Sequence, residues 1–368
     1  MATTIVGLND AKAVKRWSAA LFYDTARAGW WSSRMMAKGK QAMAPIQVLT
    51  ELENDAGDTI HFDLFLQLNG EPTYGDIVRE GNEEALNTKS DSISIDQVRY
   101  SVDTGGAMTR KRTLHDLRMR AKELAADYWM RLDDEYHFIY GSGARGINTG
   151  FICPLGFTGY ANNALNAPDS GHIIYGDGTT KATLTSSGKM TRQVIEKANT
   201  KAATLGGDGS GTPQIRPLIW DGEERYVVVM HTFQEYDLRL DAGTSGWMEI
   251  QKAAAAAEGQ KNPIFKGGLG MIGNTVLQAH PRVIRFSDYG SGSNVKAARA
   301  LFLGRQALVT AFGSPGNGLR MKWVEKLVDL ENRLIIGLSC IRGDKKVQFN
   351  SADFGVVSLD TAAVDPNA

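Results

Sequence analysis

The chain has 368 residues, 42% hydrophobic and 22% charged, with 41 basic and 41 acidic side chains, the make-up of an ordinary folded protein with one large core or two smaller ones. A net charge of zero excludes capture of nucleic acid by an overall field and leaves only local patches. There is no apolar signal core and no apolar run of membrane length, so neither a secretory signal nor a membrane helix is expected.

Forty glycines exceed the average share of about 7% and predict many turns and extended excursions. The two cysteines, Cys153 and Cys340, are too few for a disulfide framework and lack zinc-site spacing, so both read as buried or neutral thiols. Charge is segregated near the start. Residues 1–45 hold seven Lys/Arg against two Asp, and residues 51–103 hold thirteen Asp/Glu against three Lys/Arg, a pattern that suits docking between segments or between copies.

Residues 10–40 show helical spacing at Val14, Trp17, Leu21 and Phe22 and then the pair Trp30 and Trp31. This predicts a helix followed by a basic aromatic arm. Stacking on nucleic acid is one use of such an arm, but aromatic anchoring on a neighbouring surface is the simpler one. Next, IQVLTEL and TIHFDLFLQL have strand character, the turn NDAGDT separates them, and SISIDQVRYSV supplies a third strand after the acidic stretch EPTYGDIVREGNEEAL. A two- or three-stranded ribbon with a polar tip is marginal in water, so it must lie on another surface.

From Thr109 to Tyr140, Leu114, Leu117, Ala121, Leu124, Tyr128, Leu132 and Ile139 recur at helical spacing, predicting one long amphipathic helix with these residues as its core face. Thr109 or Thr113 would cap its start, and GSGARG at Gly141 would end it. A second helix is expected through Met190, Val194, Ala198, Ala202 and Leu205. A hairpin is expected at Asp221-Gly222, followed by a strand over Tyr226–Met230, a short helix or turn in QEYDLRL and a helix-prone run at Ala253–Ala257. NVKAARALFLGRQALVTAFG reads as a third helix, with Ala298, Leu301, Phe302, Arg305 and Leu308 on successive turns, and the remaining segments read as closing strands. The class is α+β, with no repeated βα period.

Catalytic signatures are missing: there is no nucleophile elbow, no H-E-x-x-H and no P-loop. GSGARG follows a helix where a dinucleotide fingerprint needs a strand. His61, His115, His137, His172, His231 and His280 are scattered. Asp133, Asp134 and Glu135 lie near a helix end, where the dipole prefers a cation, so Arg131 or a neighbouring chain is their expected partner. Glu80, Glu83 and Glu84 lack calcium-loop spacing and read as a solvated or intersubunit tip. Arg342-Gly343-Asp344 reads as a turn.

The sequence resembles the major capsid proteins of tailed double-stranded-DNA bacteriophages, through TELENDAGDTIHFDL at Thr50, EGNEEAL at Glu80, IDQVRYSVDTGGAMTRKRTLHDLR at Ile95, QEYDLRL at Gln234, NPIFKGGLGMIGN at Asn262, ARALFLGRQALVTAFG at Ala298 and FNSADFGVVSLDT at Phe349. The resemblance implies an HK97-like fold with an N-terminal arm over residues 1–50 and an extended loop over 51–106. A peripheral domain would follow over 107–204, including a spine helix over 110–140, then an axial domain over 205–317 and a return to the peripheral domain over 318–368.

It also implies a non-enzymatic protein without cofactors, made in the host cytoplasm and carried in the virion. Hexamers and pentamers would form an icosahedral shell around double-stranded DNA, with portal and scaffolding or decoration proteins as further partners. The chain is expected to open with the arm and to lack a long scaffolding domain. Trp30, Trp31, Glu80, Glu83, Glu84, Arg110 and Arg112 are the expected intersubunit contacts, and Lys89 is a crosslink donor by location alone. Two other readings stay open. A hydrolase or transferase would need a pocket bringing His231 or His280 beside a carboxylate, and a decoration or tail component would form small rings.

Overall fold

The computed structural model describes residues 29–39, 43–53, 56–66, 68–76, 78–81, 83–113, 116–206, 213–220, 222–241, 270–314 and 320–367. The expected arm helix around Val14 to Phe22, the alanine run at 253–257, Leu114 and His115 lie outside these residues.

Two sheets meet on one helix. In the first, of six strands, the central strand Arg333–Lys346 is flanked by Met321–Val328 and Asp96–Asp103, so that Leu338 lies between Trp323 and Tyr100. Its far end pairs with Leu308–Gly313, which runs parallel to Ile46–Leu49, itself parallel to Met36–Lys38. In the second, of eight strands, Val295–Leu303 lies between Glu223–Met230 and Val356–Ala362, with Ile173–Tyr175 at one edge and Met271–Ile272 at the other. The helix Arg192–Thr204 buries Val194, Ile195, Ala198 and Ala202 against this sheet, following the i, i+3, i+4 spacing of its apolar residues.

The long helix runs from Leu117 to Ser142, about 39 Å at 1.5 Å per residue. It starts later than Thr109 or Thr113. Ala107–Arg112 forms a separate short helix, Thr113 is extended, and the Asp116 side chain caps the long helix by accepting the N–H groups of Arg118 and Met119 at 3.0 and 3.3 Å. An aspartate satisfies these orphan donors well and suits the positive end of the dipole. The helix stops at Gly143, which is left-handed and donates to the carbonyl oxygens of Ile139 and Tyr140. A Cβ there would sit 1.9 Å from the Asn166 carbonyl oxygen, so only glycine fits.

The core face of this helix is the expected one at Ala121, Leu132 and Ile139 and differs elsewhere. Ala121, Ala125, Trp129 and Leu132 form the buried stripe, whereas Leu124 is 66% exposed and Leu117 and Tyr128 are half-buried. Small alanines let the helix approach closely, and Tyr128 instead stacks on Tyr100 at 4.0 Å. Every residue from Leu132 to Ser142 is buried.

Three further segments depart from the sequence reading. The expected third helix is two strands, Val295–Leu303 and Leu308–Gly313, one in each sheet. Short apolar runs buried on both faces carry no period that separates strand from helix. Ile46–Leu49 is a sheet strand and takes no part in the ribbon, and SISIDQVRYSV divides into Thr88–Ser94 in the ribbon and Asp96–Asp103 in the six-stranded sheet. Arg342-Gly343-Asp344 is strand, and a Cβ on Gly343 would meet the Ser94 carbonyl oxygen at 2.0 Å. The sheets also cut across the expected borders: Ile173–Tyr175 and Val356–Ala362 belong to the eight-stranded sheet with residues 223–303, and Leu308–Gly313 belongs to the six-stranded one. The hairpin of Leu218–Trp220 with Glu223–Met230, the helix Thr232–Leu240 and the closing strands lie where expected.

Candidate assembly interface

The ribbon pairs Thr59–Phe65 with Thr88–Ser94, from Thr59 opposite Ser94 to Phe65 opposite Thr88. Two strands alone are marginal, and its base is correspondingly anchored. Ile60 and Ile93 are buried with Leu49, Val309, Phe349 and Phe354. Asn163 brackets Ser94, accepting its N–H at 3.1 Å and donating to its carbonyl oxygen at 2.8 Å. Asp91 pairs with Lys345 and accepts the Gln348 N–H.

Beyond Phe65 the chain leaves the core. Residues 66–87 carry five carboxylates against one arginine, and Phe65, Leu68, Tyr74, Val78 and Leu86 are all at least 60% exposed. Exposed apolar side chains clustered among charges mark an interaction surface. The expected contact residues divide here. Glu80 is exposed. Glu84 accepts the N–H groups of Asn69 and Gly70 at 2.9 and 2.7 Å, and Glu83 accepts that of Gly81 at 3.0 Å. These hydrogen bonds hold both carboxyls below their ordinary pKa, and they give both residues the task of shaping the tip.

A second uncovered surface lies where the short helix meets the long one. Met108, Met119 and Leu124 are about 60% exposed or more, alongside exposed Lys111, Arg112, Arg118 and Arg120. Arg110 is partly committed, donating to the Asn332 carbonyl oxygen at 3.0 Å. Lys89 lies in the ribbon, half-buried.

Trp30 and Trp31, expected on a neighbouring chain, dock into their own. Trp31 is fully buried against Phe138, and Trp30 stacks on Phe138 and meets the tilted ring of His280 at 5.1 Å. Both donate their backbone N–H to Asp134, which caps the short helix Trp30–Arg34 from across the fold. Burial, and then the neighbouring Asp133, raise the Asp134 carboxyl to about 6.

The other two acids of this triplet also find partners inside the chain. Arg131 instead pairs with Asp127 at 2.9 Å. Asp133 pairs with Arg342 at 2.7 Å, and Arg342 grips Asp344 through two nitrogens at 2.8 and 2.9 Å. Tyr160 and Thr310 donate to the same Asp344, at 2.5 and 2.8 Å. Glu135 accepts the N–H groups of Ile152 and Cys153 at 2.7 and 3.1 Å. The cation that the helix end requires comes from Arg299, which donates to the Ser142 carbonyl oxygen at 2.8 Å and is held by Asp360.

These groups are structural. Burial lowers His231 and His280 to about 4. Their ring nitrogens accept the N–H groups of Phe233 and Arg282, with no carboxylate among their hydrogen-bond partners in the described residues. Burial pushes the thiols of Cys153 and Cys340 up to about 12, which keeps them protonated and unreactive. Among the described residues no group of His, Cys, Asp and Glu is placed to hold a metal ion, and no helix is long and apolar enough to cross a membrane.

Comparison with known proteins agrees with this non-catalytic picture. A family described as phage capsid protein matches residues 5–365. The chain is 29% identical over 355 residues to the major capsid protein of Pseudomonas phage KPP25, covering 89% of this chain and 90% of that one. It superposes on the capsid of Ralstonia phage GP4 with a TM-score of 0.82 at 50% identity over 100% of both chains. A cyanophage Pam1 capsid chain shares the fold at 21% identity, with a TM-score of 0.70 and coverage of 89% of this chain and 90% of that one. The α+β architecture of two sheets about a long helix is thus an HK97-like capsid fold. With nearly its full length matched, the chain belongs to the phage capsid protein family.

Proposed function

We propose that this chain is a major capsid protein whose copies close into hexamers and pentamers of an icosahedral shell around double-stranded phage DNA. The observation that carries the reading is the ribbon: a well-anchored base supports an acidic tip on which Phe65, Tyr74, Val78 and Leu86 are exposed. An adjacent copy is the partner that covers them in every subunit at once, by the logic of closed symmetric assemblies. The basic, methionine-bearing surface at Met108, Arg112, Met119 and Leu124 complements that tip in charge and apolarity.

In this reading residues 59–94 are the extended loop and Leu117–Ser142 the spine helix. The six-stranded sheet is the peripheral domain and the eight-stranded sheet the axial one. DNA is held by enclosure, in keeping with the balanced charge, and portal and scaffolding or decoration proteins complete the particle. Each contact is weak alone and is multiplied by the number of neighbours.

Electron microscopy and sedimentation of the purified chain test this, with closed shells expected. A monomer that persists at high concentration under assembly conditions, with its tip folded onto its own core, would sink it. Asp76→Lys with Glu80→Lys probes the ribbon without touching the carboxylates that shape the tip. A soluble subunit with reduced shell yield is expected, and undiminished yield would remove the ribbon from the interface.

A further inference from the structure

The hairpin of Met321–Val328 with Arg333–Lys346 turns through an apex of three left-handed residues. Asp329, Leu330 and Glu331 have φ of 57°, 48° and 70°, values that turns ordinarily give to glycine, asparagine or aspartate and that a leucine adopts only at a cost in strain. The Leu330 side chain gains nothing inside the chain for this, since it is fully exposed. The apex is braced all the same. Asn332 accepts the Ala107 N–H through its side chain and the Arg110 guanidinium through its carbonyl, both at 3.0 Å, and Arg333 pairs with Asp103. The tip is thus a fixed apolar knob between two carboxylates.

Val324, six residues before Leu330, lies in a shallow groove of about 600 Å³ on the same six-stranded sheet. Arg99 and Lys322 line this groove with Ser101 and Ser339, and no carboxylate does so among the described residues. Val324 is 39% exposed there. A Cβ on Gly337 would meet only the Val324 carbonyl oxygen, at an ordinary 3.6 Å, so no packing inside the chain demands glycine. Glycine in a strand interior weakens the strand and marks a place where another backbone comes close. We propose that the Leu330 knob of one copy seats in this groove of the next, with Glu331 against Arg99 and Lys322, an inference that rests on the reading that copies of the chain assemble. The two surfaces match in charge and in apolarity. They occupy different places on one subunit, so the contact is heterologous and, repeated about an axis, closes a ring. It is separate from the contact of the ribbon.

Leu330→Cys and Val324→Cys, made in separate chains, mixed under assembly conditions and treated with a short bismaleimide, should give a covalent dimer of one with the other, in severalfold excess over the dimer from either alone. Cys153 and Cys340 are buried and supply no background. Leu330→Gly, which suits a left-handed position, should leave the urea midpoint of the subunit unchanged or raised while shell yield falls severalfold. Glu331→Lys should also lower the yield, and adding Arg99→Glu and Lys322→Glu should restore it. Shells from the parent chain with no mixed dimer, or with undiminished yield in Leu330→Gly, would overturn this contact and leave the shell reading intact, whereas a mixed dimer without shells would do the reverse. If the thiol of Val324→Cys is masked in shells whose subunits also carry Leu330→Gly, another segment such as the ribbon tip fills the groove and the proposal falls.

Discussion

The two halves of the long helix behave as different objects. From Leu117 to Arg131 one narrow stripe of Ala121, Ala125 and Trp129 faces the sheet, and the rest of the surface carries exposed Met119 and Leu124 among ion pairs such as Arg120 with Glu123. From Leu132 to Ser142 every residue is buried, three consecutive carboxylates included. Apolarity therefore does not mark the core side of this helix. Leucine lies outside in the first half, and aspartate lies inside in the second.

The difference has a physical cause. In the second half each buried acid meets a dedicated partner: Arg342 for Asp133, the Trp30 and Trp31 amides for Asp134, and the Ile152 and Cys153 amides for Glu135. Charged groups enter a core only when so paired. In the first half, Arg118 reaches the buried Glu325 at 2.8 Å, and an exposed pair such as Arg120 with Glu123 contributes little. That leaves the Met119 and Leu124 side chains exposed, as the proposed contact between copies requires.

The sharpest way to break this contrast is Arg342→Met. It strands Asp133 and Asp344 in the interior and should cost about 3–5 kcal/mol, read as loss of soluble subunit or a lowered urea midpoint. Next comes Gly143→Ala, which forces a left-handed residue with its Cβ against the Asn166 carbonyl. It should cost about 2 kcal/mol or more in the same measurement.

Asp134 gives a comparable effect through pH. Its folded pKa of about 6 lies above that of an unfolded aspartate, so its contribution to stability is fully present below about pH 3.9 and is lost as pH rises through 6, by about 3 kcal/mol. Stability of Asp134→Asn should lack this decline between pH 4 and 6.5, while an unchanged pH profile would assign the decline to other groups. The smallest effect on the subunit belongs to Leu124→Asp. With the side chain two-thirds exposed, unfolding should shift by no more than about 0.5 kcal/mol, while shell yield falls. Unfolding of this variant would place Leu124 back in the core, and normal shells would leave its exposure without a partner.

Much of the fold was legible in the residues themselves. The alternation of Thr59–Phe65, the helical period of Val194, Ala198 and Ala202, and the glycine stop of the long helix all report local preferences that the tertiary structure respects, although Met190 and Leu205 fall just outside the helix Arg192–Thr204. Residues 295–313 were not legible as strands, because an apolar run looks the same in a buried helix and in a strand covered on both sides. At the candidate interface, the acidic ribbon could be read from charge alone. The inward turn of Trp30 and Trp31 could not, since an aromatic pair serves equally as an intersubunit anchor or as a buried one. Asp134, which captures both backbone amides, is 103 residues beyond Trp31, and no local pattern announces such a cap.

What the sequence alone determined, then, is the set of pieces: the ribbon and its sign of charge, a long helix with a fixed end, an α+β class without a catalytic signature, and the capsid resemblance carried by motifs along the chain. Each depends on neighbours a few residues apart, where periodicity and turn chemistry act. The tertiary structure decided which face of the long helix is inside, which sheet receives each closing strand, and which partner neutralises each buried acid. Those outcomes depend on groups far apart in the chain, and burying Asp133 is tolerable only because Arg342 arrives from a strand two hundred residues away.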